Sequence, residues 1–375
     1  MSMKKTNQLY EKNIGYNLEE ICPREKILFL DIETTGLSPR SSYIYMIGAA
    51  HYTEASGLEP EGYTITQWLA ENAADEKEIL VDFLSEVKNY EMLIHFNGNT
   101  FDLPFIQARC EANGLEFNYS EFKGIDIYRR IQPFKNILRL GSCKQKAVEE
   151  YLGIDREDQY SGGQLVNVYK EYVKSADRKA LKLLVTHNYE DVTGMLSILP
   201  ILAYSDFLSG DNIKVGKVQI NTYKDVNGLK SRELLINLTL SSPLPKPLSY
   251  NANECILTAR GSEASLKVPV YDEEMKYFYE GYKDYYYLPE EDMAVHKSVS
   301  IYVDKEFRTQ ATAATCYTRK KSSYLPEWGP LFNPFFKRDY ETKSMFFELN
   351  DEFKKNKSSF IDYAKHILDM MMRNK

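Results

Sequence analysis

Residues 26–35 read KILFLDIETT. An apolar run of this length, interrupted by acids only in its second half, predicts a strand buried on both faces near its middle. Residues i and i+2 of a strand point to one face, so Asp31 and Glu33 project together. At about 3.3 Å per residue they stand roughly 6–7 Å apart along the chain. Two ionised carboxylates side by side in a largely buried sheet repel each other and resist desolvation. A fold tolerates the pair when a cation sits between them. The competing arrangement is an exposed strand end with two solvated acids, and the apolar residues on both sides argue against it.

The surroundings continue the pattern. Strands are predicted at Tyr43–Tyr52 and near Tyr63–Leu69, a helix at 76–89 with Ile79, Leu80, Phe83, Leu84 and Val87 on one face, and a short strand at 91–96. Asn97-Gly98-Asn99 signals a loop, and a helix begins near Leu103. Further helical patterns cover 143–152, 164–174 and Asp177–Leu208, the last broken near Pro200. This order fits a mixed α/β sheet covered by helices. Residues 1–25 are polar and read as a flexible or loosely docked lead-in. From about 210 the chain alternates apolar and polar residues over 215–270 and 295–303, which predicts antiparallel strands, with a helical tail at 350–373. The expected organisation is a lead-in over 1–25, one domain over 26–209 and an α+β domain of unknown role over 210–375.

Composition narrows the classes. The 375 residues carry a net charge of −7, with 43% hydrophobic and 27% charged residues. A protein that simply coats nucleic acid is usually basic, so contact with a polyanion here needs a local basic face or bound metal. The five cysteines are scattered and form no CxxC pair, which disfavours a zinc ribbon or a redox motif. No signal peptide is expected, and no apolar run approaches the roughly 18 residues of a membrane span. The expectation is a reduced, cytoplasmic protein with no membrane partner.

Two further polar clusters stand out. Asn97-Gly98-Asn99-Thr100-Phe101-Asp102 places Asp102 at a strand-to-helix turn, where the simplest role is an N-cap. His187-Asn188-Tyr189-Glu190-Asp191 puts His187 and Asp191 one turn apart on one helix face. Taken alone, that pair would stabilise the helix by a few tenths of a kcal/mol.

Together the segments LFLDIETTGLS, HFNGNTFDLPFI and HNYEDVTGM, in this order, resemble the three motifs of the DEDD superfamily of 3′–5′ exonucleases, over about residues 26–205. The wording is most similar to the stand-alone bacterial ribonuclease-H-like exonuclease group. In that superfamily a Tyr four positions, or a His five positions, precedes the last Asp. Here His187 stands four before Asp191, and Thr186 stands five before. The resemblance implies a ribonuclease-H-like mixed five-stranded sheet flanked by helices. It also implies 3′–5′ hydrolysis of single-stranded DNA or RNA with two divalent cations. Asp31, Glu33, Asp102 and Asp191 would be the metal ligands, and His187 would orient or deprotonate the attacking water. Clustered carboxylates without Cys are hard ligands suited to Mg²⁺ or Mn²⁺.

Thr34, Asn97 and Phe101 are candidate nucleic-acid contacts from the motifs. Arg319 and Lys320 are candidates from a basic stretch interleaved with Tyr317, Tyr324, Trp328, Phe332, Phe335 and Phe336, a composition suited to single strands. The alternative for that stretch is a packed aromatic core with solvated cations around it. Alternatives for the whole protein are a binding module on an inactive exonuclease fold, or a hydrolase of short oligonucleotides or another phosphodiester. Tyr282, Tyr285, Tyr286 and Tyr287 read as packing, and His296 as a buried strand histidine.

Overall fold

The computed structural model describes residues 3–55, 60–158, 160, 162–210, 213–224 and 228–373. They form two compact units, Met1–Ser205 and Asp206–Lys375.

The first unit is built on β1 (Lys4–Tyr10), β2 (Ile27–Thr34), β3 (Ile44–Thr53), β4 (Gly62–Leu69), β5 (Met92–His95) and β6 (Lys123–Asp126). Their order in the sheet is β1-β4-β3-β2-β5-β6, antiparallel on the first side and parallel for β2-β5-β6. The sheet therefore has six strands rather than five. The extra one, β1, lies in the segment expected to be a loose lead-in. Its side chains are exposed along almost its whole length, so it gives no hydrophobic signal. Backbone pairing with β4 holds it, together with ion pairs of Lys4 with Glu71 and Lys5 with Asp82.

The helices are α1 (Glu76–Val87), α2 (Asp102–Ala112), the short α3 (Ile127–Ile131) and α4 (Lys135–Leu138), α5 (Gln145–Leu152), α6 (Gly162–Ser175), α7 (Arg178–Ile198) and α8 (Leu202–Leu208). Alternation along β2 separates two layers. Leu28, Leu30 and Ile32 join Ile79, Phe83, Leu103 and Ile106 of α1 and α2 in one core. Phe29, Asp31 and Glu33 face the other way, toward α7, which packs on β2, β3 and β4. Each core side chain of this kind contributes about 1.5–3 kcal/mol on burial. Asp177 caps α7 by accepting from the amides of Lys179 and Ala180. The span Arg178–Leu208 is long and apolar enough to cross a membrane by length and composition, but 78% of its most apolar window is buried within the protein. It is a core helix, and its apolar residues are spent on packing.

The second unit has a six-stranded antiparallel sheet of order β14-β15-β13-β9-β8-β7. Its strands are β7 (Ile213–Lys224), β8 (Lys230–Ala252), β9 (Cys255–Phe278), β13 (Tyr317–Glu327), β14 (Phe335–Phe336) and β15 (Met345–Glu348). Beside it lies a three-stranded sheet of β10 (Tyr285–Leu288), β11 (Met293–His296) and β12 (Thr309–Gln310). The helices are α9 (Lys297–Ser300), α10 (Asp351–Lys355) and α11 (Lys357–Arg373), the last packed on β7 and β8. Two expectations are corrected. The strand expected over 295–303 ends at His296, because that side chain accepts from the Ser298 amide and starts a helical turn. His296 is consequently exposed rather than buried.

Candidate active site

Asp31 lies opposite Gly48 in the β2–β3 register. The missing side chain at Gly48 lets Asn188 of α7 reach across β3. A Cβ there would stand 2.2 Å from Asn188 Oδ1. Asn188, fully buried, accepts from Gln67 Nε2 at 2.9 Å and donates to Asp31 Oδ2 at 3.0 Å. The register of β2 and β3 slips between Glu33 and Thr34. Such a bulge re-aims side chains, and here it leaves Tyr45 unpaired beside Met46. Tyr45 stacks on Tyr169 of α6 at 4.1 Å and donates to Glu33 Oε2 at 3.3 Å.

Asp102 opens α2, but it is not the N-cap expected of an isolated Asp at such a turn. Phe101 occupies that position. β5 has ended by this level, and Asp102 Oδ1 instead accepts the Ile32 amide of β2 at 3.2 Å. This bond ties the second motif to the first.

His187 joins the set. Its Nε2 lies 3.2 Å from Glu33 Oε1 and 3.0 Å from Asp191 Oδ2, and its Nδ1 lies 2.6 Å from Asp158 Oδ2. Both ring nitrogens face carboxylates, an arrangement that favours the charged imidazolium. Burial opposes that charge, but the bonds to Asp191 and Glu33 outweigh it and push the pKa up to about 11. The acids divide in the same way. Burial and then the charges of Asp191, Asp102 and Glu33 hold Asp31 well above the usual carboxylate range. Burial raises Glu33, and it pushes Asp102 up to about 7. Asp191 is held low, against burial, by His187 and by Arg156, whose Nη2 lies 2.5 Å from Asp191 Oδ1.

All four sequence-predicted acids and His187 are thus within electrostatic reach of one another. Ligand atoms of Glu33, His187 and Asp191 lie within 4.8 Å of each other. A set of four buried or half-buried carboxylates, three of them pushed toward protonation, fits hard divalent cations.

The predicted nucleic-acid contacts have other local tasks. Thr34 is buried and donates to the Gly36 carbonyl at 2.8 Å. Asn97 takes φ +63° in the turn after β5, and its amide donates to Asp126 Oδ1 at 2.9 Å. Phe101 packs on Phe105 with ring centroids 5.3 Å apart. Arg319 pairs with Glu274 and Asp292, and Lys320 with Glu348, across the sheet of the second unit. Tyr317, Tyr324 and Phe336 beside them are core residues.

Sequence reasoning missed Asn188, Arg156 and Asp158. Arg156 and Asp158 sit in the polar connection between α5 and α6, which has no periodicity to mark them. Arg156 also pairs with Glu149, and a Cβ at Gly194 would stand 2.2 Å from Glu149 Oε1, so α5 approaches α7 closely there. Asn188 stood beside His187 inside a motif that was read only for its charges.

Comparison with known proteins agrees with this architecture. A family model described as RNase_H superfamily matches residues 28–203. The uncharacterized protein YprB of Bacillus subtilis (strain 168) is 28% identical over 190 residues, covering 49% of this chain and 42% of that protein. The PolC-type DNA polymerase III of Ureaplasma parvum serovar 3 is 33% identical over 141 residues, covering 32% of this chain and 10% of that protein. The chain therefore spans less than half the length of these curated relatives. Exonuclease I of E. coli, solved with an oligonucleotide, superposes with a TM-score of 0.32 at 12% identity, covering 57% of this chain and 54% of that one. The mixed sheet, the helices on its two faces and the family match agree on a ribonuclease-H-like fold over residues 28–203.

Proposed function

We propose that this protein is a metal-dependent 3′–5′ exonuclease acting on single-stranded nucleic acid. The observation that carries the reading is the convergence of Asp31, Glu33, Asp102 and Asp191, from a strand, a helix start and a late helix, beside the ring of His187. The superfamily match supports it, as does similarity to parts of DNA polymerases. Asp31, Glu33, Asp102 and Asp191 would hold two Mg²⁺ or Mn²⁺ ions. When bound, such ions lower the pKa of water and stabilise attacking and leaving oxygens.

The remaining work falls to the chain's own groups. Asn188 fixes the Asp31 carboxylate, and the Ile32 amide fixes Asp102. Asp158 holds Nδ1–H of His187, which fixes the tautomer that presents Nε2 as the proton-accepting atom. Were Glu33 and Asp191 to hold cations, Nε2 would lose both its acceptors and His187 would work as the neutral imidazole: Nε2 would take one proton of the water whose oxygen bonds phosphorus, and the bridging 3′ oxygen would leave on the opposite side and take a proton from bulk water.

The test uses 5′-labelled single-stranded DNA and RNA with Mn²⁺ or Mg²⁺. The expected result is a ladder shortening from the 3′ end, lost in EDTA and in Asp31→Ala with the fold retained. Hydrolysis that survives either treatment overturns the reading. Cleavage of dinucleotides alone favours a short-oligonucleotide hydrolase, and a gel shift without cleavage favours a binding module.

A further inference from the structure

Asp158 has two sides. One carboxylate oxygen holds His187, and the residue also forms part of the wall of a groove of about 340 Å³ on the outer side of α7. The rest of that wall includes Lys179, Lys182, Leu183 and Thr186 of α7, with Glu157 and Tyr160 opposite. Residues 179, 182 and 186 follow the i, i+3, i+7 spacing of one helix stripe. The stripe leads along the axis to His187, with Lys179 about 12 Å and Lys182 about 7.5 Å away at 1.5 Å per residue.

Both lysines are exposed, and among the described residues no carboxylate pairs with either ammonium. Many other cations of this acidic protein are tied up. Lys146 donates to Asp158 and to the Tyr160 carbonyl. Glu190, further along the same helix, is occupied by the amides of 157 and 158.

The position of the lysines runs against helix electrostatics. Arg178, Lys179 and Lys182 crowd the first turns of α7, where the dipole favours acids, and the first turn contains none. The first free amides are already taken by Asp177, so the helix end itself has little left to offer an anion. Basic charge placed here costs helix stability and gains nothing within the chain. An external anion would offset that cost. Tyr160, 40% exposed in the opposite wall, adds an aromatic face, and aromatic stacking with phosphate-binding cations is how single strands are held without sequence preference.

We propose that this groove carries the single strand upstream of the scissile bond, with Lys179 and Lys182 on successive backbone phosphates and Tyr160 against a base. The proposal rests on the nuclease reading for the identity of the ligand. It moves the substrate path from Arg319 and Lys320, which are engaged in ion pairs, to the face of α7 next to His187.

The test is fluorescence anisotropy of labelled oligo-dT and oligo-U in Ca²⁺ over a series of KCl concentrations, with the full chain. For single strands each phosphate contact contributes about 0.7 to the slope of log K against log salt. Lys179→Gln/Lys182→Gln should therefore flatten the slope by about 1.4. Lys77→Gln/Lys88→Gln, in α1 and at its C-cap, with the same loss of charge, should leave it unchanged. Tyr160→Ala should weaken binding at an unaltered slope. An unchanged slope in the Lys179/Lys182 variant overturns the proposal, whatever its hydrolytic activity. If the slope flattens but Mn²⁺ brings no hydrolysis in the wild type, the groove stands and the exonuclease reading falls.

Discussion

Gly48 and Asn188 are interlocked: the absence of one side chain is the space occupied by the other. Asn188 crosses β3 at Gly48 to reach Asp31, and no Cβ fits at 2.2 Å from its amide oxygen. Gly48→Ala should displace Asn188 from both Gln67 and Asp31. The expected loss is about 1–3 kcal/mol, as for overpacking, with a fall in activity. In an Asn188→Ala background the same substitution should cost much less, because the clash is gone. A double-mutant cycle by thermal melting measures the difference. Additive losses would mean that the two sites are independent.

Asp31 should be a stability liability when no cation is bound. Burial and three neighbouring acids hold its carboxyl well above the usual range. Asp31→Asn removes that penalty and leaves the shape. In EDTA the variant should be more stable than the wild type by on the order of 1–3 kcal/mol. Added Mn²⁺ should raise the melting temperature of the wild type and much less that of the variant. Calorimetry in both buffers checks the reversal.

Asp158 acts through His187. Its carboxylate sits 2.6 Å from Nδ1 and is itself held by Lys146 and the Tyr160 amide. Asp158→Ala should lower the single-turnover rate by roughly 10–100-fold, as for other residues that orient a catalytic or ligating group. Asp158→Asn, which can still accept from Nδ1–H, should recover part of it. Equal rates in wild type and Asp158→Ala would leave Asp158 a structural residue.

A second buried ion pair holds the frame. Glu76 accepts from Arg109 Nε and Nη2 at 2.8 and 2.5 Å and from the Ile44 amide at 2.9 Å, at the start of the strand that backs the site. Arg109→Ala strands a buried carboxylate and should cost about 3–5 kcal/mol. Arg109→Ala/Glu76→Gln should recover part of that loss. Urea denaturation distinguishes the two.

His366 in the second unit gives a pH signature. Burial lowers its pKa, and its neutral Nε2 accepts the Trp328 amide at 2.9 Å. A depressed histidine contributes stability in full above its unfolded value near 6.5, and the contribution shrinks as pH falls below it. Melting of the second unit should weaken from pH 7.5 to 5. His366→Gln, which keeps an acceptor, should flatten this dependence. An unaltered profile in the variant assigns the acid sensitivity to other groups.

The parts of the fold that were legible share one property: a side-chain period coincides with burial. β2, α1 and α7 each bury an apolar face, and Asp31, Glu33 and Asp191 sit on β2 and α7 at positions the period fixes. β1 was invisible because an edge strand held through its backbone needs no apolar residues. Asp158 and Arg156 were invisible because they reach the site from an irregular connection, where spacing carries no geometric meaning. Asp102 left two readings open in the sequence, a metal ligand and an N-cap. A capping residue and a residue that accepts from a neighbouring strand look alike until the strand is in place. In the second unit the mixture of aromatic and basic residues resembled a binding surface, yet β13 buries Tyr317 and Tyr324 at either side of an exposed stretch in which Arg319 and Lys320 are engaged in ion pairs.

The polar outer strand of the first sheet has a consequence for handling the protein. β4 carries Tyr63, Ile65 and Trp68 between the two strands that flank it. Clipping β1 away would bare a row of unsatisfied amides and carbonyls on β4, the kind of template on which separate molecules zip together. Proteolytic nicking before Tyr10 should therefore first be noticed as turbidity on storage, while the chemistry of the remaining soluble fraction is little altered.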